Sequence, residues 1–396
     1  MSAFARAGRR AAIARELAPV VVALVALRAR RRVAVHVALA LAWVARALVA
    51  RTTARRGLAR AREARALRGR AVWITGASQG LGEATARACA RLGARVVVSG
   101  RRAERCAEVA EECARLGAAS AKCVAFDVCG TRRELSDACE RALAACGGTV
   151  DVFVNAAGGS QACSALAGDD EEVDKALFQL NAIGAISLTK EVAKRMVAAR
   201  RRRKEGSMAP KIVGVCSVAS KVPAPGQSVY AAAKSAYAAF LNALRSEIAN
   251  TGVKVVCVYP GPIATGMNGQ ERVIFRKNMA DSTPSPSASK TAMSRTAARP
   301  PSTKGRMNVD YVAAHVVRSA LADVDELVLA PQPIMALTYC VRFFPTLAYA
   351  ALDVIGPKRA RRADAGENMY DLLEKTRQIL ESIGDVDSKE SKGKSE

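Results

Sequence analysis

A doubly wound α/β fold, a parallel sheet with helices on both faces, is what this sequence predicts, and three observations carry it. Short apolar runs recur, among them AVWIT (Ala71–Thr75), ARVVVS (Ala94–Ser99) and VDVFVN (Val150–Asn155). Helix-forming segments separate them, at Glu83–Gly93, Glu104–Leu116 and Arg132–Ala145. Strands alternating with helices of this length form parallel sheets whose ligands bind at the strands' carboxyl ends. Third, the first apolar run passes directly into a glycine-rich turn and then a helix, the local order of a phosphate-binding unit.

With 396 residues, half of them apolar, the chain suits one large domain with appendages. Its eleven cysteines form no C-x-x-C pair and no regular spacing, which excludes a zinc module or disulfide framework and suits free thiols. The only histidines, His36 and His315, lie far apart, so neither a Ser-His-Asp triad nor a metal site is expected. The net charge of +25 suggests nucleic acid at first sight. No binding motif accompanies it, aromatics are only 4%, and much of the charge lies in the arginine-rich residues 1–70. No nucleic-acid partner is expected.

Residues 1–69 read as an apolar and basic appendage. Leu17–Leu27 and Val33–Ala50 are apolar, with Arg28-Ala29-Arg30-Arg31-Arg32 between them. The 18 residues of the second run would reach about 27 Å as a helix, enough to cross a bilayer core. Three readings stand: a membrane anchor or interfacial helix, a cleaved organellar transit peptide, and a solvated basic tail.

The predicted domain, residues 70–331, opens on AVWIT. In the turn that follows, Gly76, Gly80 and Gly82 let the backbone bend and approach a phosphate, and the next helix offers free N–H groups. After ARVVVS, where a ribose-binding acid would stand, come Gly100-Arg101-Arg102. Arginines there favour a 2′-phosphate over a 2′-hydroxyl. The third strand, KCVAFDV, ends near Asp127, placed to meet an adenine amino group, and VDVFVN ends in Asn155-Ala156-Ala157-Gly158.

Ser217 closes the apolar run KIVGVCS, and Tyr230 and Lys234 follow in the helix-forming YAAAKSAYAAFLNAL. Residues four apart share a helix face. An ammonium beside a phenol lowers the phenol's pKa from about 10, which makes it usable as acid or base near neutrality. The rival reading is an ordinary alanine-rich helix with a surface Tyr and Lys.

TGASQGLG (75–82), NAAG (155–158), Asn181, the Ser217/Tyr230/Lys234 spacing and PGPIAT (260–265), in this order, resemble the short-chain dehydrogenase/reductase superfamily. The resemblance implies a seven-stranded Rossmann sheet, with later strands near Lys211–Cys216, Val253–Val258 and Glu326–Ala330. It implies NADP(H), with Tyr230 as proton donor or acceptor and Lys234 on the nicotinamide ribose. Ser217 would polarise the substrate carbonyl, and Asn181 would hold a helix kink and a proton-relay water. The cofactor would be lined by Gly76, Ser78, Gln79, Gly80, Leu81, Gly82, Arg101, Arg102, Asp127, Val128, Asn155, Ala156 and Gly158. Pro260, Gly261, Ile263 and Thr265 would hold its nicotinamide end. Two departures stand out: Ala156 replaces the usual second Asn of Asn-Asn-Ala-Gly, and Gln79 sits where many NADP-dependent members carry a base.

Arg200–Lys204 reads as a solvated basic turn or a lipid contact, Asn268–Met279 as a substrate lid, and residues 281–305, rich in Ser, Thr, Pro and Ala, as a flexible loop. In residues 332–396, Pro333–Ile355 is apolar but interrupted by Arg342 and Pro345, so a helical hairpin on a membrane or at a substrate portal is expected. The alternative packs it on the core or on a second subunit of a homodimer. Lys358–Arg362 suits an anionic surface, and Glu367–Ile383 an amphipathic helix before a charged tail. The apolar ends resemble the membrane-associated dehydrogenase/reductase SDR family member 7B subgroup. That implies a lipophilic carbonyl or alcohol substrate, such as a lipid ketone, steroid or retinoid, and membrane lipids as partners. It implies the endoplasmic reticulum, or a plastid or mitochondrion if a transit peptide is cleaved. A 3-ketosphinganine reductase is the alternative, although that group reads Pro-Pro-Asp where this chain has Pro260-Gly261-Pro262. A catalytically silent cofactor-binding scaffold is the alternative from another class.

Overall fold

The computed structural model describes residues 67–168, 171–201, 208–265, 274–275, 305–365 and 367–370. The N-terminal anchor, residues 202–204, the loop 281–304 and almost all of the Asn268–Met279 lid and the Glu367–Ile383 helix lie outside the described residues.

The strands of the main sheet are β1 (Ala71–Thr75), β2 (Arg95–Val98), β3 (Ser120–Cys123), β4 (Val152–Asn155), β5 (Lys211–Val215), β6 (Lys254–Pro260) and β7 (Glu326–Leu329). They form one parallel sheet in the order β7-β6-β5-β4-β1-β2-β3. The order reverses direction between β1 and β4, so a crevice opens where their carboxyl ends part. This is the Rossmann arrangement expected from the sequence.

Successive residues of a strand face opposite sides, and both sides are apolar here. Trp73, Phe153 and Ile212 point to one face, against Leu135 of α3 (Arg132–Ala145), Leu188 and Met196 of α5 (Gly184–Arg200) and Leu241 of α6 (Ser228–Glu247). Val72, Ile74, Val213 and Val258 point to the other, against α1 (Gly80–Arg91), α2 (Ala103–Arg115) and α7 (Val309–Leu321). Covered on both faces, the strands carry the near-continuous apolar runs that the sequence displays. Helix α3 is fixed at its start by a capping box, in which Thr131 Oγ1 accepts from Glu134 N–H and the Glu134 carboxylate accepts from Thr131 N–H.

The third strand corrects the sequence reading. It runs from Ser120 to Cys123 rather than through Asp127, because as an edge strand it has only β2 to pair with. Past Val124 the chain turns across the end of β2, and Phe126 N–H donates to Gly100 O. Asp127 therefore sits on an exposed turn at the crevice rim.

Before α5 comes α4 (Glu171–Phe178), joined to it by a π-helical turn, Gln179–Ile183. The C-terminal apolar run forms α8 (Ile334–Phe343) and α9 (Pro345–Asp364), with Pro345 in the first turn of the second helix, where its missing N–H costs nothing. Among the described residues no helix is long and apolar enough to cross a membrane.

Candidate functional site

A cavity of about 660 Å³ opens over the carboxyl ends of β1, β4, β5 and β6. It is lined by Gly76, Ser78 and Gln79 from the first turn, Gly80, Leu81 and Gly82 from the start of α1, and Arg101 and Arg102 after β2. Val128, Ala156, Gly158, Ser217, Tyr230, Lys234, Pro260, Gly261, Ile263 and Thr265 complete the predicted set that reaches it. Asp127, Asn155 and Asn181 do not line it directly.

At Gly76 the backbone has φ +63°, and a Cβ there would lie 2.7 Å from the Ala157 N and Cα atoms. Glycine is thus required twice over: by the left-handed backbone and by contact with the turn after β4. The turn delivers the chain to α1, whose N-cap residue, Gln79, makes no side-chain capping bond. The first N–H groups of α1 and its partial positive charge therefore face the cavity, a ready anion site.

Beyond β2, Arg102 Nη2 donates to Gln79 Oε1 at 2.8 Å, which ties the two sides of the crevice mouth together. Arg101 lies 4.0 Å from the Asp127 carboxylate with both side chains well exposed, so this is a weak, solvent-screened pair.

Asn155 ends β4 beneath the cavity. Its Oδ1 accepts from Thr75 Oγ1 at 2.8 Å, and its Nδ2 donates to Ala185 O at 3.2 Å and Thr189 Oγ1 at 3.3 Å. Thr189 also shares a 3.0 Å hydrogen bond with the Tyr237 hydroxyl of α6. This buried network joins β1, β4, α5 and α6 in one register. Its members are satisfied, as buried polar groups must be if they are not to destabilise the fold.

Helix α6 brings Tyr230 and Lys234 to the cavity one turn apart, and the end of β5 brings Ser217 to the same cavity. Ser217 caps a short 3₁₀ turn, its Oγ accepting from Ala219 N–H at 3.1 Å. The Lys234 side chain is buried and donates to Val215 O at 3.0 Å, so the strand that presents Ser217 also anchors the lysine. Burial pushes the Lys234 pKa down to about 8, and the neighbouring Cys216 partly opposes the shift. Asn181 lies fully buried in the π turn. Its Nδ2 donates to Gly159 O at 3.1 Å and to Leu177 O at 3.0 Å, and its Oδ1 accepts from Gly159 N–H at 3.2 Å. The extra residue of the π turn interrupts the regular helix ladder there, and a side chain held across the turn takes up the freed carbonyl of Leu177.

The family model for short chain dehydrogenase matches residues 70–273. The chain belongs to the short-chain dehydrogenase family. It is 34% identical to the dehydrogenase/reductase SDR family member 7B of Bos taurus over 206 residues, which cover 51% of this chain and 60% of the relative. It is 29% identical to the dehydrogenase/reductase SDR family member 7 of Homo sapiens over 301 residues, 74% of this chain and 80% of that one. The match to the bovine relative thus spans less than two thirds of its length. Among solved structures, a short chain dehydrogenase from Burkholderia cenocepacia J2315 in complex with NADP superposes with a TM-score of 0.53 at 20% identity, covering 72% of this chain and 98% of that one. A metagenomic short-chain oxidoreductase in complex with NADP gives 0.51 at 24% identity, covering 67% and 99%. Both establish the shared fold.

The family match ends at residue 273, and part of the cavity wall lies beyond it. Ile334 and Leu337 of α8, Leu352, Ile355 and Arg359 of α9, and Met369 and Tyr370 close the side next to Tyr230. Helix α9 comes so near the loop before α6 that a Cβ on Gly226 would lie 2.7 Å from the Ala363 Cβ. Arg359 corrects the expectation of a solvent-facing basic run: it turns inward, and its Nη2 donates to Gln227 Oε1 at 3.1 Å. Neither Gln227 nor Arg359 was singled out for the site from the sequence. Arg359 stands 132 positions from its partner, inside a run of basic residues that resembles any exposed helix face.

Proposed function

We propose that this chain interconverts a carbonyl and an alcohol with NADP(H), and that its substrate is lipophilic. One observation carries the reading: the buried Lys234 ammonium and the Asn181 amide converge on Gly158 at the wall of the cavity that Ser217 and Tyr230 also line. The residues present fit the cofactor. The α1 N-terminus and the glycines around it, which line the cavity, suit a pyrophosphate, and Arg101 and Arg102 suit a 2′-phosphate where an acid would suit NAD. When bound, the nicotinamide supplies or accepts the hydride.

The chain's own part is proton transfer and positioning. Tyr230 gives its hydroxyl proton to the carbonyl oxygen in reduction and recovers it in oxidation. The Ser217 hydroxyl donates to that same oxygen and stabilises its growing charge. Lys234 keeps a positive charge one helical turn from the phenol and so favours the phenolate that remains. Asn181 holds the Gly158–Gly159 turn against the lysine and acts by position.

A lipophilic substrate is supported by the apolar side chains of Ile334, Leu337, Leu352 and Ile355 over the Tyr230 end. Arrival from a membrane is supported by the outer surface of the same two helices. Tyr339, Phe343, Phe344, Leu347, Tyr349 and Val354 stand exposed there, alongside Arg342 and Lys358. Such an apolar patch with basic neighbours suits an anionic lipid surface, and the endoplasmic reticulum is the membrane we assign. The test is the full chain in mild detergent with NADPH and a panel of lipid ketones and aldehydes, following NADPH absorbance. We expect oxidation of NADPH matched mole for mole by alcohol. Binding of NADPH without turnover of any apolar carbonyl would favour the scaffold reading instead.

A further inference from the structure

Arg359 is half-buried in the cavity wall, and among the described residues it has no acidic partner. Its guanidinium meets the Gln227 amide oxygen and the face of the Tyr370 ring, 5.3 Å from its centroid, and its Nε has no hydrogen-bond partner. Burial pushes its pKa down, with the Tyr370 hydroxyl partly opposing. A guanidinium stays charged in proteins, and one drawn partly out of water is stabilised by an opposite charge beside it. Arg105 and Arg195, also half-buried, have acidic partners in Glu83 and Glu191.

The surroundings hold Arg359 in place. Gln227 Oε1 accepts from Arg359 and from the Tyr370 hydroxyl at 3.3 Å, and Gln227 Nε2 donates to Ser160 Oγ at 2.7 Å. Gln227 is the N-cap residue of α6, three positions before Tyr230. Arg359 therefore sits at the substrate end of the cavity, coupled to the helix that carries the proton-transfer tyrosine, and away from Arg101 and Arg102 after β2.

We infer that Arg359, positioned by Gln227, Ser160 and Tyr370, is a subsite for an anionic head group on the lipophilic substrate, a carboxylate or a phosphate. The inference deepens the carbonyl reductase reading and rests on it for the word substrate. An anion would supply the missing counter-charge through a charge-assisted hydrogen bond to the guanidinium. Ile334, Leu337, Leu352 and Ile355 would meet the apolar tail.

The experiment is calorimetric binding to the full chain in nonionic detergent, saturated with NADP⁺ so that the cofactor's own anion sites are filled. The probes are dodecanoate, dodecyl phosphate and dodecanol, which share one tail. We expect at least one anionic probe to bind about tenfold or more tightly than dodecanol, which is the scale of one charge-assisted contact. Whichever of dodecanoate and dodecyl phosphate binds tighter identifies the head group. In Arg359→Gln the preference should vanish with dodecanol binding retained, and in Arg359→Lys it should partly survive. Equal affinity of all three probes for the parent chain would overturn the inference whatever the variants do. So would a preference that persists in Arg359→Gln. Since no turnover is read, a failed carbonyl screen with a preserved anion preference would sink the enzymatic reading and leave the subsite standing.

Discussion

A Cβ on Gly158 would lie 3.0 Å from the Lys234 Nζ and 2.9 Å from the Asn181 Oδ1. The turn after β4, helix α6 and the π turn before α5 meet at one residue that has no side chain. Gly158→Ala must displace the lysine or the asparagine by a few tenths of an ångström, and catalytic geometry is sensitive on that scale. We predict a fall in kcat of about tenfold to a hundredfold with an unchanged circular dichroism spectrum, measured by NADPH-coupled assay.

Lys234 contributes instability that depends on pH. Its pKa is about 8 when folded against an ordinary 10.5. Below pH 8 both states hold the proton, and burial of the charge weighs fully against the fold. Between pH 8 and 10.5 the unfolded chain binds more protons, so stability rises with pH. Lys234→Met should therefore raise the Tm at pH 7 by a few degrees, corresponding to about 1–2 kcal/mol, and the gain should shrink as pH approaches 10. Turnover in the parent chain should decline as the ammonium is lost above pH 8. Melting curves and rate profiles across pH 6–10 check both.

Cofactor choice turns on Arg101 and Arg102. Replacing both with alanine should weaken NADPH binding by about tenfold or more and leave NADH binding within about twofold, since NADH has no 2′-phosphate for the guanidinium groups to meet. Fluorescence titration with each cofactor separates the two outcomes. An unchanged affinity ratio would remove the basis for NADP preference.

The exposed aromatics of α8 and α9 are predicted to bind lipid. Tyr339, Phe343, Phe344 and Tyr349 changed together to serine should reduce binding to vesicles of mixed neutral and anionic lipid in a flotation assay. Because residues 17–50 are a second candidate anchor, the comparison is best made in a chain lacking residues 1–66 as well as in the full chain. Equal flotation of the parent and the serine variant in the shortened chain would remove this patch from the account.

How much was legible in the sequence follows from how local each signal is. Strands β1, β4 and β5 could be read because both sheet faces are buried, which leaves uninterrupted apolar runs such as AVWIT. The end of β3 could not, since an edge strand stops where its single partner stops and the residues after Cys123 carry no signal of that. Tyr230 and Lys234 were visible through helical spacing. That Asn155 would turn its amide into the core, against Thr75 and Ala185, was hidden, because its partners lie 80 and 30 positions away. Arg359 was hidden for the same reason and also by its setting among exposed arginines.

The central claim is that Tyr230 transfers the proton in a cavity that binds NADP(H), and Tyr230→Phe tests it most directly. The hydroxyl is removed and the ring kept, so the parent and variant chains differ at the reacting oxygen alone. With NADPH affinity and turnover of an apolar ketone measured side by side, we predict an affinity unchanged within about twofold and a kcat lower by about 10²-fold or more. A variant that reduces the ketone as fast as the parent would contradict the account.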